Sequence, residues 1–151
     1  IARPDLKITA LDSTAKRVNY IAETAEILGL TNISAVAARA EEAASKPAMR
    51  ERFDISCARA VARFSALCEL CLPFVRTGGE FLALKGHSED EVSEASNAIK
   101  KLGGVLISST SYNISLPGGE NNPRSLVRVK KNSRTPEIYP RNWSQISKKP
   151  L

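Results

Sequence analysis

The sequence predicts an α/β domain on a mostly parallel sheet, with an antiparallel strand near its C-terminal end. Three observations predict it. Short apolar runs rich in β-branched residues alternate with longer stretches of helical period. The length, 151 residues, is the most populated size for one compact unit. The last two apolar runs are joined by the Pro/Gly/Asn-rich turn PGGENNP, a link too short for a parallel crossover, so that pair is antiparallel.

Taken in order, Lys7–Leu11 (KITAL) reads as a strand. Ser13 or Thr14 caps a helix running to about Leu28 and stopping at Gly29, a residue suited to the left-handed C-cap. Ile33–Ala37 is a second strand. Glu41–Arg50 is a short helical stretch that Pro47 interrupts. Phe53–Ala58 is a third strand, followed by a helix over Phe64–Leu72, and Gly78-Gly79 turns the chain into strand Glu80–Leu84. Glu89–Leu102 has the period of an amphipathic helix, with acidic residues in its first turn and Lys100-Lys101 in its last, complementing the helix dipole. Val105–Tyr112 and Ser125–Lys131 are the closing strands. Beyond Arg134 the composition turns to Pro, Arg, Lys and Ser, which reads as a tail lying on the surface.

Hydrophobic residues make up 42% and charged residues 25%, a globular balance that excludes wholesale disorder. The net charge of +6 is unevenly spread. Residues 1–123 carry 14 basic and 15 acidic side chains, whereas residues 124–151 carry 8 basic and 1 acidic. A near-neutral body with a cationic end points to a polyanion as partner. Solvated surface is the plainer account of the same charge. Cys57, Cys68 and Cys71 are an odd number and too few for a disulfide framework, which favours a reducing, cytoplasmic setting. Cys68 and Cys71 form a C-x-x-C within a helical run and lack the second pair a zinc site needs, so they read as two small apolar residues on a helix face. No apolar run reaches the roughly 18 to 20 residues of a membrane span, and no charged-then-apolar targeting segment stands at the start.

In an open α/β sheet, ligands bind at the carboxyl ends of the strands. Asp12 ends the first strand, where it can accept both hydroxyl hydrogens of a ribose or simply cap the next helix. The second strand leads into Ala38-Arg39-Ala40-Glu41-Glu42, which suits either the edge of an adenine or an ordinary helix start. Arg59, between small and apolar residues at the end of the third strand, needs an anionic or polar partner, whether a ligand or a structural ion pair. The fourth strand ends in Lys85-Gly86-His87, and His87 has no clustered ligand around it, so it reads as a loop residue. No G-x-S-x-G, Walker A, H-E-x-x-H or G-x-G-x-x-G occurs, and nothing pairs a nucleophile with a base. Any enzyme built this way works by holding two reactants together.

The segments ARPDLKITALDSTAKRVNYI, AARAEE, FDISCARAV, LPFVRTGGEFLALKG and YPRNWSQISKKPL, in this order, resemble the RsmG family, also called glucose-inhibited division protein B. The likeness covers essentially the whole chain, and the pairing of ARAV with LALKG and a C-terminal KKPL is specific to that family. The resemblance implies a class I S-adenosylmethionine-dependent methyltransferase (Rossmann-like) sheet and methylation of the N7 of a guanine in 16S ribosomal RNA, with naked rRNA or the small ribosomal subunit as partner. It implies that Asp12, Ser13 and Thr14 meet the ribose and adenosine side of the methyl donor and that Ala40 and Glu41 line the adenine. Arg59 is then the catalytic candidate at the junction of donor and target. Lys16, Arg17, Lys85, Arg124, Arg141, Lys148 and Lys149 are implied at RNA phosphates.

One departure carries weight. The family has a Gly-rich loop ending in P-G-I-P-L-A immediately before A-R-P-D, and this chain begins at Ile1-Ala2-Arg3-Pro4-Asp5. The expectation is therefore an N-terminally truncated chain, weakly active or inactive alone, that binds S-adenosylmethionine poorly. On this reading residues 1–134 are the C-terminal portion of the methyltransferase domain, and 135–151 are a basic tail packed on the same domain. Arg63-Phe64 and Trp143-Ser144-Gln145 are smaller departures. Two other readings compete. A nicotinamide-dependent dehydrogenase requires a Tyr-Lys, His or Cys arrangement and a neutral tail, neither of which is seen. A non-catalytic RNA-binding module draws on the cationic end, with Tyr139 and Trp143 available for base stacking.

Overall fold

The computed structural model describes residues 1–59, 62–86, 89–115 and 121–151. His87 and most of the PGGENNP turn lie outside them. The chain divides into two compact units, Ile1–Ala43 and Ala44–Leu151. Among the described residues no helix is long and apolar enough to cross a membrane.

In the first unit, β1 (Ile8–Asp12) and β2 (Ile33–Ala37) pair in parallel, with Asp12 opposite Ala37. The crossover between them is α1 (Ala15–Ile27), which packs on both strands. Thr14 holds the N-cap position with extended backbone, yet its side chain makes no capping bond. The carboxylate of Asp12 accepts the N–H of Thr14 itself at 2.8 Å, a side-chain turn that leads into the helix rather than a bond to its first-turn N–H groups. Gly29, at φ +64°, ends the helix as expected. The short α2 (Ala40–Ala44) follows, and the chain leaves helical geometry before Pro47.

The second unit is a four-stranded sheet in the order β3 (Phe53–Arg59), β4 (Val75–Lys85), β6 (Asn121–Lys131), β5 (Gly104–Ser115). β3 and β4 are parallel; β6 runs antiparallel to both of its neighbours. The fold class is thus the one expected, with one refinement. β4 begins at Val75, not after the glycine pair, and takes up the extra residues in a register shift between Phe53 and Ile55. No Cβ fits at Gly79, since it would lie 2.5 Å from the Asp54 carbonyl, and this close approach lets the irregular strand continue.

Residues of β4 and β6 alternate, with Phe81 and Ala83 buried on one strand and Val127 and Val129 on the other. Against that face lie α3 (Phe64–Cys71) and a 3-10 turn, Leu72–Phe74. Phe64 stacks on Phe81 with ring centroids 6.2 Å apart. Full burial of such a side chain contributes roughly 1.5–3 kcal/mol. Cys68 and Cys71 are free thiols buried in α3, as the apolar reading expects, and burial pushes the Cys71 pKa up to about 12. The expected single helix over Glu89–Leu102 is two, α4 (Glu89–Glu94) and α5 (Ser96–Lys101), with the break at buried Ala95. Glu91 faces the start of α3 and accepts the Phe64 N–H at 3.1 Å, a tertiary bond that a dipole argument on its own helix misses.

The segment after Arg134 is more than a surface strip. It ends in α6 (Trp143–Lys148), capped by the Asn142 side chain, and Ile146 has no exposed surface.

Candidate donor-binding rim and cationic surface

Parallel pairing in the first unit brings the ends of β1 and β2 side by side, and the Ala38 N–H donates to the Asp12 carbonyl at 3.1 Å. Asp12 therefore shares one edge with the loop residues Ala38 and Arg39, which lead into α2 at Ala40 and Glu41. The Asp12 side chain is about a quarter exposed, at 28%, and its other carboxylate oxygen accepts from Arg17 at 3.3 Å. The Thr14 N–H, aided by Arg17 and opposed by partial burial, holds its pKa below the ordinary carboxylate range. An ionised carboxylate has about four lone-pair sites, so two remain for the hydroxyls of a ribose. These acceptor sites fit the ribose hydroxyls of a nucleoside.

In the second unit, Arg59 is exposed at the carboxyl end of β3, next in register to Leu84. A guanidinium there donates hydrogen bonds and accepts no proton. Two expected RNA contacts are placed otherwise. Lys85 is buried, donating to the Ala62 carbonyl at 2.9 Å and pairing with Glu91 at 2.7 Å. Arg141 grips fully buried Glu69 with its backbone N–H, Nε and Nη2, the last at 2.6 Å. Lys85 is thus paired with half-exposed Glu91 and Arg141 with buried Glu69, so both cations already have a carboxylate partner within the protein. Lys16, Lys148 and Lys149 are exposed, Arg17 is exposed beside Asp12, and Arg124 is half-buried with Nη1 on the Pro123 carbonyl at 2.9 Å.

Sequence reading missed a second constellation. Glu51, held at φ +52°, accepts the Thr135 N–H at 2.7 Å and pairs with Lys131 and Arg134 at 3.3 and 3.0 Å. Around it Arg50 and Arg52 face residues 134–139 across a cleft. Their separation of more than eighty positions along the chain leaves no local signal.

Comparison with known proteins follows the same lines. The GidB family model, rRNA small subunit methyltransferase G, matches residues 1–115. Ribosomal RNA small subunit methyltransferase G of Lactobacillus delbrueckii subsp. bulgaricus is 44% identical over 152 residues, covering all of this chain and 62% of the relative. The protein of the same name from Clostridium beijerinckii is 45% identical with the same coverage. The chain thus spans under two thirds of the length of the curated relatives it matches. Among solved structures, an rRNA methylase from Streptococcus thermophilus superposes with a TM-score of 0.56 at 18% identity, covering 87% of this chain and 78% of that one. TYW2 of M. jannaschii in complex with AdoMet gives 0.63 at 13% identity, covering 83% and 58%. At such identities the likeness is one of fold.

Proposed function

The chain belongs to the rRNA small subunit methyltransferase G family, and from that premise we propose that it serves S-adenosylmethionine-dependent methylation of the N7 of a guanine in 16S ribosomal RNA, in the cytoplasm. The observation that carries the proposal is the rim of the first unit, where ionised Asp12 and Ala37 end two parallel strands side by side and the chain runs on from Ala37 into α2 with Ala40 and Glu41. Asp12 would hold the ribose hydroxyls, with Ser13 and Thr14 beside it, and Ala40 and Glu41 would edge the adenine. The bound donor supplies a methyl group activated by its sulfonium.

Guanine N7 carries an in-plane lone pair and no proton, so its attack needs no general base. Catalysis then rests on alignment, for which effective molarities are large, and on exclusion of water. Arg59 fits that scheme as a hydrogen-bond donor to guanine O6, to a phosphate or to the donor's carboxylate. Lys16, Arg17, Arg124, Lys148 and Lys149 would contact RNA phosphates and position the substrate.

Isothermal titration with S-adenosylmethionine and methyl transfer to a 16S rRNA transcript test this together. Asp12→Ala is expected to weaken donor binding by roughly ten- to a hundredfold, about 1.4 to 2.7 kcal/mol. Arg59→Ala is expected to lower the transfer rate. Full rate and full donor affinity in Arg59→Ala would remove its assigned role. RNA binding by a protein that takes up no donor would favour the non-catalytic RNA-binding module.

A further inference from the structure

A cleft of about 530 Å³ opens in the second unit between the segment leading into β3 and the segment following β6. Its walls carry three guanidinium groups, from Arg50, Arg52 and Arg134, and two carboxylates, from Glu51 and Glu137. Buried Lys131 reaches Glu51 from below.

The charges do not balance. Glu51 alone is shared between Lys131 and Arg134. Arg50 directs Nη1 to the Tyr139 carbonyl at 2.8 Å and Nη2 to the carbonyls of Thr135 and Pro136 at 2.9 and 3.1 Å, all neutral acceptors. Arg52 is exposed, its backbone N–H bonded to the Phe74 carbonyl at 3.0 Å, and its one side-chain hydrogen bond among the described residues runs from Nε to the Pro47 carbonyl at 3.2 Å. Arg134 touches Glu51 through Nε while its side chain remains 81% exposed. Four cations therefore stand against two carboxylates, and Arg52 and Arg134 are exposed residues that line the cleft, each with a side-chain contact through Nε alone among the described residues. A planar guanidinium pair across a concave surface is suited to an oxyanion with several acceptor oxygens, above all a phosphodiester.

We propose that this cleft is a second RNA-phosphate site, at the opposite end of β3 from Arg59. β3 connects the two ends: Arg52 precedes its first residue and Arg59 is its last. Seven residues of strand separate them by about 20 Å. A phosphate held there anchors the RNA backbone well away from the base at Arg59, which fixes register and orientation without reading sequence. RNA is favoured over an acidic peptide because the proposal rests on the rRNA-methyltransferase reading and deepens its substrate side.

The test is the salt dependence of binding to a 16S rRNA transcript by the protein and its Arg52→Gln, Arg134→Gln and doubly substituted variants. Lys100→Gln, an exposed position on α5, serves as the control. Each cleft substitution is expected to lower affinity and to flatten the slope of log affinity against log salt by about one. Titration with S-adenosylmethionine is expected to be unchanged. Arg52→Gln alone is sufficient, because its side chain makes one exposed hydrogen bond and its loss leaves the fold intact. An unchanged slope in the double variant, or an equal loss in Lys100→Gln, overturns the cleft and leaves the methyltransferase reading standing. A wild-type protein without salt-dependent RNA affinity overturns both. Displacement of the transcript by polyglutamate as readily as by competing RNA would overturn the choice of RNA.

Discussion

Lys131 ends β6 with no exposed surface, donating to the Leu72 carbonyl at 2.9 Å and to the Thr135 hydroxyl, and facing Glu51. Burial pushes its pKa down to about 8, against the pull of Glu51 and with the push of nearby Arg50. The Glu51 carboxylate is itself opposed by burial, but the Thr135 N–H, Arg134 and Lys131 hold its pKa below the ordinary range. The consequence for Lys131 is signed. Below pH 8 the folded and unfolded states both bind its proton, and the cost of burying the charge is present in full. Between pH 8 and the unfolded value of about 10.4, only the unfolded chain keeps the proton, so that cost fades as pH rises. Stability measured by urea unfolding, wild type minus Lys131→Met, is therefore expected to shift toward the wild type by on the order of 2 kcal/mol between pH 7.5 and 10. A flat or falling difference would contradict the burial account. Lys85 and Arg141 make the same point about single residues. In the sequence they are cations beside a strand end and in a basic tail, but the acids that hold them are Glu91, from the helix that follows the strand, and Glu69, from a helix far earlier in the chain.

Periodicity located most of the elements, and the exceptions share a cause. β4 extends back past Gly78-Gly79 because Val75 still pairs with Phe53 beyond the register shift, and α4 and α5 separate at Ala95, which is fully buried. In each case packing overrides a local preference. Gly103 shows the opposite case, a position where the backbone leaves no choice. It sits at φ +81° after α5, its carbonyl accepts the N–H groups of Asn132 and Ser133 at 2.8 and 3.1 Å, and a Cβ would collide with the Ser133 carbonyl. Gly103→Ala is expected to destabilise by about 2 kcal/mol or more, since strain and overlap add. Gly86→Ala, with open space around it and no positive φ, is expected to stay within about 0.5 kcal/mol of the wild type. Equal unfolding midpoints for the two variants would remove the argument from close approach.

Core distribution sets the behaviour of the whole molecule. Within Ile1–Ala43 the buried apolar residues are Val18 and Ala43, whereas Ala44–Leu151 holds the rest, with Phe64, Leu67, Leu72, Phe81, Leu102 and Ile146 at or near zero exposure. A unit of about forty residues with so little buried surface has little to set against its chain entropy. Native-state hydrogen exchange is therefore expected to show the amides of β1 and β2 exchanging at least about a hundredfold faster than those of β4 and β6. Equal protection in the two units would overturn this. The order of strands and helices, the reduced apolar cysteines, the strand-end positions of Asp12 and Arg59 and the cationic C-terminal stretch all followed from the order of residues along the chain. Each is a property of a short window, where period, turn chemistry and charge density act directly. Which charges remain open to a ligand did not follow. That depends on pairs such as Glu69 with Arg141 and Glu51 with Arg134, brought together over more than seventy residues when the sheet and its helices close around one core.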